Sequence, residues 1–163
     1  MAFVRQDQIT ARTKERHYID VTSRILSAES GVTGNNYNFT AQIQPFNLDA
    51  NKHYTVSLVS IRYPNQNLAG PGPVYPVLLS NLGENIRVNN INASVLWQSN
   101  VNADNNNFVY LDYTNSPIFY VPLRNKNFNQ VVVELQRSDN GQPFVIPDGP
   151  QNAVSVTILI ESD

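Results

Sequence analysis

The chain contains 0 Cys, and that absence removes disulfides, thiolate metal sites and cysteine nucleophiles together. It suits a reducing compartment, or a particle assembled in one. Histidine is almost as scarce. His17 and His53 are the 2 present, and neither stands in a His-x-x-x-His spacing that would hold a metal. Both read as exposed residues at strand edges. With only 7 Gly there is no nucleophile elbow and no glycine loop to cradle a phosphate. Charge is low and balanced, 11 Lys+Arg against 13 Asp+Glu, so no overall field draws the chain to DNA or to an anionic membrane. No window approaches the roughly 18 apolar residues of a membrane span, and the first residues lack the apolar run of a secretion signal. The sequons at Asn38 and Asn92 are therefore expected to be silent.

What the sequence does have is alternation. Ile19, Val21 and Ile25 share one parity, with Asp20, Thr22 and Arg24 on the other. Phe39, Ala41 and Ile43 repeat the pattern. Between 53 and 63 the apolar parity changes, from Tyr54, Val56 and Leu58 to Val59, Ile61 and Tyr63. That predicts either a strand buried on both faces or a bulge between Ser57 and Ser60. Further runs lie at 86–88, 94–97, 108–113, 118–121, 131–135 and 154–160. In the last, Val154, Val156, Ile158 and Ile160 are expected inward and Ser155 and Thr157 outward. Leu159 breaks the polar side and calls for a cover.

Turn chemistry separates these runs. Ser138-Asp139-Asn140-Gly141 predicts a hairpin turn with Gly141 at positive φ, and Asp148-Gly149-Pro150 a second reversal. Residues 49–52 are compatible with a single turn. The segment 68–73, with Pro71 and Pro73, is donor-poor and cannot lie inside a sheet. Asn-rich stretches such as 105–107 belong to loops. Short strands at spacings of roughly 8–12 residues predict an all-β domain, a sandwich or barrel. The fold expected is a single jelly-roll β-sandwich of about eight antiparallel strands over 17–163. An immunoglobulin-like sandwich around Trp97 is second, without a Cys pair to support it. Residues 1–16 read as an N-terminal arm: apolar residues are sparse, and Arg5, Arg12, Lys14 and Arg16 face only Asp7 and Glu15. Four cations allow at most weak contact with nucleic acid.

Candidates for chemistry are few. The carboxylates Asp49, Glu84, Asp104, Asp112, Glu134, Asp139 and Asp148 are scattered, and Asp104 before three Asn reads as a solvated loop rather than a calcium site. No catalytic, cofactor or metal residue is expected. Phe108, Tyr110, Tyr113, Phe119 and Tyr120 cluster in sequence. They read first as core and cross-strand packing. The sharper reading places Tyr110 and Tyr120 in a binding groove or a subunit contact, where Tyr is enriched.

Two stretches carry a resemblance. The run from His53 to Asn65, HYTVSLVSIRYPN, resembles the strand and Tyr-Pro segment of the small jelly-roll penton and minor capsid proteins of virophages, Polinton-like elements and related double-stranded DNA viruses. The second stretch is Tyr120-Val121-Pro122-Leu123, the 131–135 strand, the Gly141-Gln142-Pro143 hairpin and the closing 154–160 strand. It is similar to that family's last strands. The resemblance implies a homopentamer that plugs the fivefold vertices of an icosahedral shell beside a major capsid protein. The virion would then be assembled inside the host cell. The loops around Pro71 and Pro73 and the arm residues become candidate contacts. The competing expectation is a carbohydrate- or receptor-binding β-sandwich that uses the same aromatics as stacking platforms.

Overall fold

The final strand sets the frame. In a computed structural model that describes residues 14–24, 31–66, 68–70, 72, 74–88, 91–99, 108–115 and 119–163, the chain ends in β12 (Ser155–Ser162). Val156, Ile158 and Ile160 on that strand are fully or almost fully buried, as period-two alternation requires. β12 is central. It pairs antiparallel with β1 (Arg16–Thr22) on one side and with β4 (Tyr54–Pro64) on the other. The far edge of β4 is shared by two short strands. β10 (Val121–Pro122) pairs at Val56 and Thr55, and β9 (Phe108–Asp112) pairs from Ser60 to Pro64.

The parity change in β4 is resolved by a bulge. Thr157 faces Ser60 while Ile158 faces Leu58, so Val59 has no partner on β12. Spending that one residue keeps Val56 and Leu58 on the same face as Ile61 and Tyr63, all four within the core. Val59 is itself buried, but outside that cluster, and its carbonyl accepts the amide of Tyr113 at 2.6 Å. The strand is thus both bulged and largely covered on its two faces.

A second antiparallel sheet has the order β2 (Val32–Asn35), β3 (Asn38–Asn47), β11 (Asn127–Arg137), β5 (Pro76–Ser80), β8 (Val95–Gln98). A small hairpin of β6 (Ile86–Val88) and β7 (Ile91–Ala93) stands apart. Val131, Val133 and Leu135 of β11 point inward with Phe39, Leu78 and Trp97, and they join the inward residues of the first sheet in a single apolar cluster. Two antiparallel sheets that bury one cluster are consistent with a β-sandwich. Among the described residues there is no α-helix, only a 3₁₀ turn at Pro150–Asn152, and no helix long and apolar enough to cross a membrane.

Polar groups inside this core are matched. Trp97 Nε1 donates to the Tyr113 hydroxyl at 3.0 Å, and the Tyr63 hydroxyl meets Ser99 Oγ at 3.1 Å. Ser23 and Asn36, both buried, tie the end of β1 to the β2–β3 hairpin. Ser23 Oγ donates to Asn36 Oδ1 at 2.7 Å and accepts the Val154 amide at 2.8 Å. The turns follow local chemistry as expected. Gly141 (φ 71°) closes the reversal after β11, and Gly149 (φ 115°) opens the 3₁₀ turn. The Lys52 amide bonds to the Asp49 carbonyl at 3.3 Å, closing the single turn before β4.

Candidate interaction surface

The outward face of the first sheet is written by register. Paired residues in an antiparallel sheet point the same way, so the partners of β1, β12, β4 and β9 line up in rows across it. One row runs Thr22, Ser155, Arg62, Tyr110; the next runs Asp20, Thr157, Ser60, Asp112. Tyr18 and Leu159 pair in the row beyond, and Arg16 and Glu161 in the one after that. Their chain neighbours Ile19, Val21, Val156, Ile158, Ile61 and Val109 are buried, which fixes these rows as the outer side.

This face is aromatic at both ends and polar between them. Tyr110 is 63% exposed and Tyr18 54%. Tyr120, which precedes β10 and alternates with buried Val121, is 55% exposed, and Phe119 and Phe108 are exposed as well. Of the expected core and cross-strand packing of the 108–120 aromatics, the core part therefore holds only for Tyr113, which is half-buried against the cluster, and Phe108 makes a cross-strand contact with Arg62. The reason is strand position. β9 pairs only with β4 among the described residues, and its inward residue is Val109, so Phe108 and Tyr110 must face out.

The polar band carries specific contacts. The Arg62 guanidinium lies over the Phe108 ring, 4.0 Å from its centroid, a cation–π arrangement. Thr157 Oγ1 donates to Asp20 Oδ1 at 2.5 Å, and Ser155 Oγ donates to Thr22 Oγ1 at 3.3 Å. Asp112 accepts the hydroxyl and the amide of Thr114, which hold its carboxyl below the usual range. A groove of about 340 Å³ runs over this band, with Asp20, Ser60, Arg62, Tyr110 and Thr157 in its lining.

Where β1 begins, a knot of charges fastens residues 14–16 to the domain. Glu161 takes Arg16 Nε at 2.5 Å and Lys14 Nζ at 3.3 Å. Burial works against ionising Glu161, but those two bonds outweigh it and hold its carboxyl below the ordinary range. The Glu15 carboxylate accepts from Lys52 Nζ (2.8 Å), His17 Nε2 (2.7 Å) and the Tyr54 hydroxyl (3.0 Å). Its backbone exchanges two further bonds with Ser162, each 2.9 Å. Lys14 and Arg16 are thus anchored through Glu161 rather than free. Arg5 and Arg12 lie outside the described residues, as do Pro71, Pro73 and the Asp104 loop.

The histidines differ from each other. His53 is exposed beside β4, while His17 is half-buried, bonded to Glu15 and edge-on to Phe46 at 5.4 Å. Among the described residues no group of three His, Asp or Glu is placed to hold a metal. A cleft of about 660 Å³ at one end brings His53, Glu84, Arg124, Lys126 and Asp163 together. Its two cations are already turned to neutral acceptors, Lys126 to the Ala50 carbonyl and Arg124 to Asn85. Of the aromatic face, Tyr110 and Tyr120 were named in the sequence only as the alternative to core and cross-strand packing, and both are exposed. Tyr18, Asp20 and Arg62 were not singled out, although their parity opposite Ile19, Val21 and Ile61 marks them as outward. No family model matches this chain, and no curated protein matches it in sequence.

Proposed function

We propose that this chain is a single jelly roll acting as a viral structural subunit, the penton protein at the fivefold vertices of an icosahedral double-stranded DNA virus or related element. The strand pairing supports the fold. β1 with β12, β3 with β11, β4 with β10 and β9, and β5 with β8 form nested antiparallel pairs, the pattern of one long ribbon doubled on itself. The pairs β12 with β4 and β11 with β5 then roll that ribbon into two sheets.

The observation that carries the role is the exposure of Tyr18 and Tyr120 on a sheet face that turns away from the core. Large exposed aromatics cost solubility unless a partner covers them, and Tyr is favoured at such contacts. A second copy is the partner in this reading. A heterologous contact repeated by rotation closes into a ring, and the fivefold order follows from the resemblance to penton proteins. The anchor at residues 14–16 gives the preceding arm a fixed point of departure towards a neighbour or the major capsid protein. The ring would be assembled inside the host cell and retained in the virion.

Mass photometry or analytical ultracentrifugation of the full chain tests this directly. The expected species has five times the 18.3 kDa chain mass. A Tyr18→Ser/Tyr120→Ser variant should dissociate to a folded monomer whose melting temperature no longer depends on protein concentration. A strict monomer at all concentrations for the parent chain overturns the ring.

A further inference from the structure

The groove across β1, β12, β4 and β9 has the chemistry of a saccharide site, and we propose that it binds an uncharged sugar. Three observations carry this. First, the lining is charge-balanced: Asp20 is its one acid and Arg62 its one base. A ligand with net charge of either sign would meet a like charge somewhere along it, whereas a neutral polyol meets none.

Second, the floor offers hydroxyls and a carboxylate in two adjacent rows. Ser60 can donate and accept, as sugar hydroxyls do; Thr157, which gives its proton to Asp20, can accept, and Thr22, which accepts from Ser155 Oγ and the Arg24 amide, can donate. Asp20 uses Oδ1 for Thr157 and has Oδ2 as a further acceptor. The Arg62 guanidinium has no hydrogen-bond acceptor among the described residues, and its Cζ lies 4.0 Å from the Phe108 ring centroid. The fork is therefore preorganised and keeps its donors.

Third, Tyr110 stands next to Arg62 in the same row with 63% of its surface exposed. An aromatic ring beside a hydroxyl-lined floor fits the amphipathic face of a sugar ring, whose C–H bonds pack on the aromatic while its hydroxyls reach the floor. At about 340 Å³ the groove sits at the lower end of ligand sites, which range over roughly 300–1,000 Å³. That is room for roughly one or two sugar rings. A chain that binds sugar as a monomer would refute the ring and leave the groove standing; a pentamer without affinity would do the reverse.

The test is titration of the full-length protein, followed by amide NMR, with a neutral panel: glucose, galactose, mannose, N-acetylglucosamine and their common disaccharides. Glucuronic and sialic acids serve as charged comparators. At least one neutral sugar should give saturable shifts at Ser60, Thr157 and Tyr110, with a Kd of order 1 mM, usual for a shallow site. Tyr110→Ala and Asp20→Asn should each weaken it about tenfold or more. Val145→Ser, at an exposed residue outside the groove lining, should leave it unchanged. Trp97 emission confirms that each variant is folded. No saturable shift from any neutral sugar at about 50 mM overturns the proposal. So does preferential binding of the charged sugars, or undiminished affinity in folded Tyr110→Ala.

Discussion

Glu15 and Lys52, separated by most of the first third of the chain, meet in an ion pair of 2.8 Å at the foot of β1. With the bonds from His17 and Tyr54, this pair pulls the Glu15 carboxyl down from 4.5 to about 2, the Lys52 bond contributing most. A depressed carboxylate stabilises the fold above its unfolded pKa, and that contribution disappears as pH falls through the folded value. Melting temperature should therefore decline between about pH 4.5 and pH 2. Glu15→Gln should flatten that decline and lower stability near neutrality. Differential scanning fluorimetry across this range reads both effects. An unchanged acid limb would remove Glu15 from the account.

The Ser23–Asn36 pair gives a second prediction. Asn36 also donates to the carbonyls of Pro147 at 2.8 Å and Gly149 at 3.1 Å, so one amide joins three segments. Truncating Asn36 to Ala leaves buried acceptors and the Ser23 hydroxyl unmatched. The expected loss is about 1–3 kcal/mol, read by urea denaturation with Trp97 emission as the probe.

The bulge in β4 predicts an asymmetry between deletion and insertion. Removing Val59 restores strict alternation from Leu58 to Ile61, so the variant should fold with Tyr63 still inside. Its cost should be roughly 1–3 kcal/mol, the burial of one side chain. Inserting Ala between Val132 and Val133 of β11 has no such outlet. It throws Val133 and Leu135 to the opposite face and should abolish the fold. Amide NMR spectra of the two variants distinguish the outcomes.

Two glycines should respond oppositely to alanine. Gly34 lies at φ 112° in the β2–β3 hairpin, and a Cβ there would strike the Asn38 carbonyl oxygen and come 2.9 Å from the Phe39 Cα. Gly34→Ala should cost on the order of 1–3 kcal/mol. Gly72 has open space around it, so Gly72→Ala should be neutral, or stabilising by about 0.4–1 kcal/mol through the unfolded chain. Thermal unfolding of both variants is sufficient.

How much of this was readable beforehand depended on whether a strand advertises itself by alternation. β12 and the inward half of β3 did, and the change of parity in β4 correctly left a bulge as one of its two solutions. β5 did not. It begins at Pro76, directly after the Pro-rich segment, and it buries Ser80, so it looks like the end of a loop. β2 is four residues of Val-Thr-Gly-Asn, too short and too polar to show alternation, and among the described residues it is held only by β3. The groove was hidden for a different reason. Asp20, Ser60, Tyr110 and Thr157 are far apart in sequence, and only the pairing register of four strands brings them into two rows. Parity shows which residues face out; it does not show which outward residues become neighbours.

The division of the β4 edge between β9 and β10 limits how copies of this chain can aggregate. Two short strands placed end to end leave no long run of free amides and carbonyls on that side, and Pro122 lacks a donor altogether. Runaway fibre growth by strand addition needs a template at both sides of a sheet, and here one side is capped. Crowded copies of this chain are thereby steered to meet through side chains rather than through backbone pairing on that side.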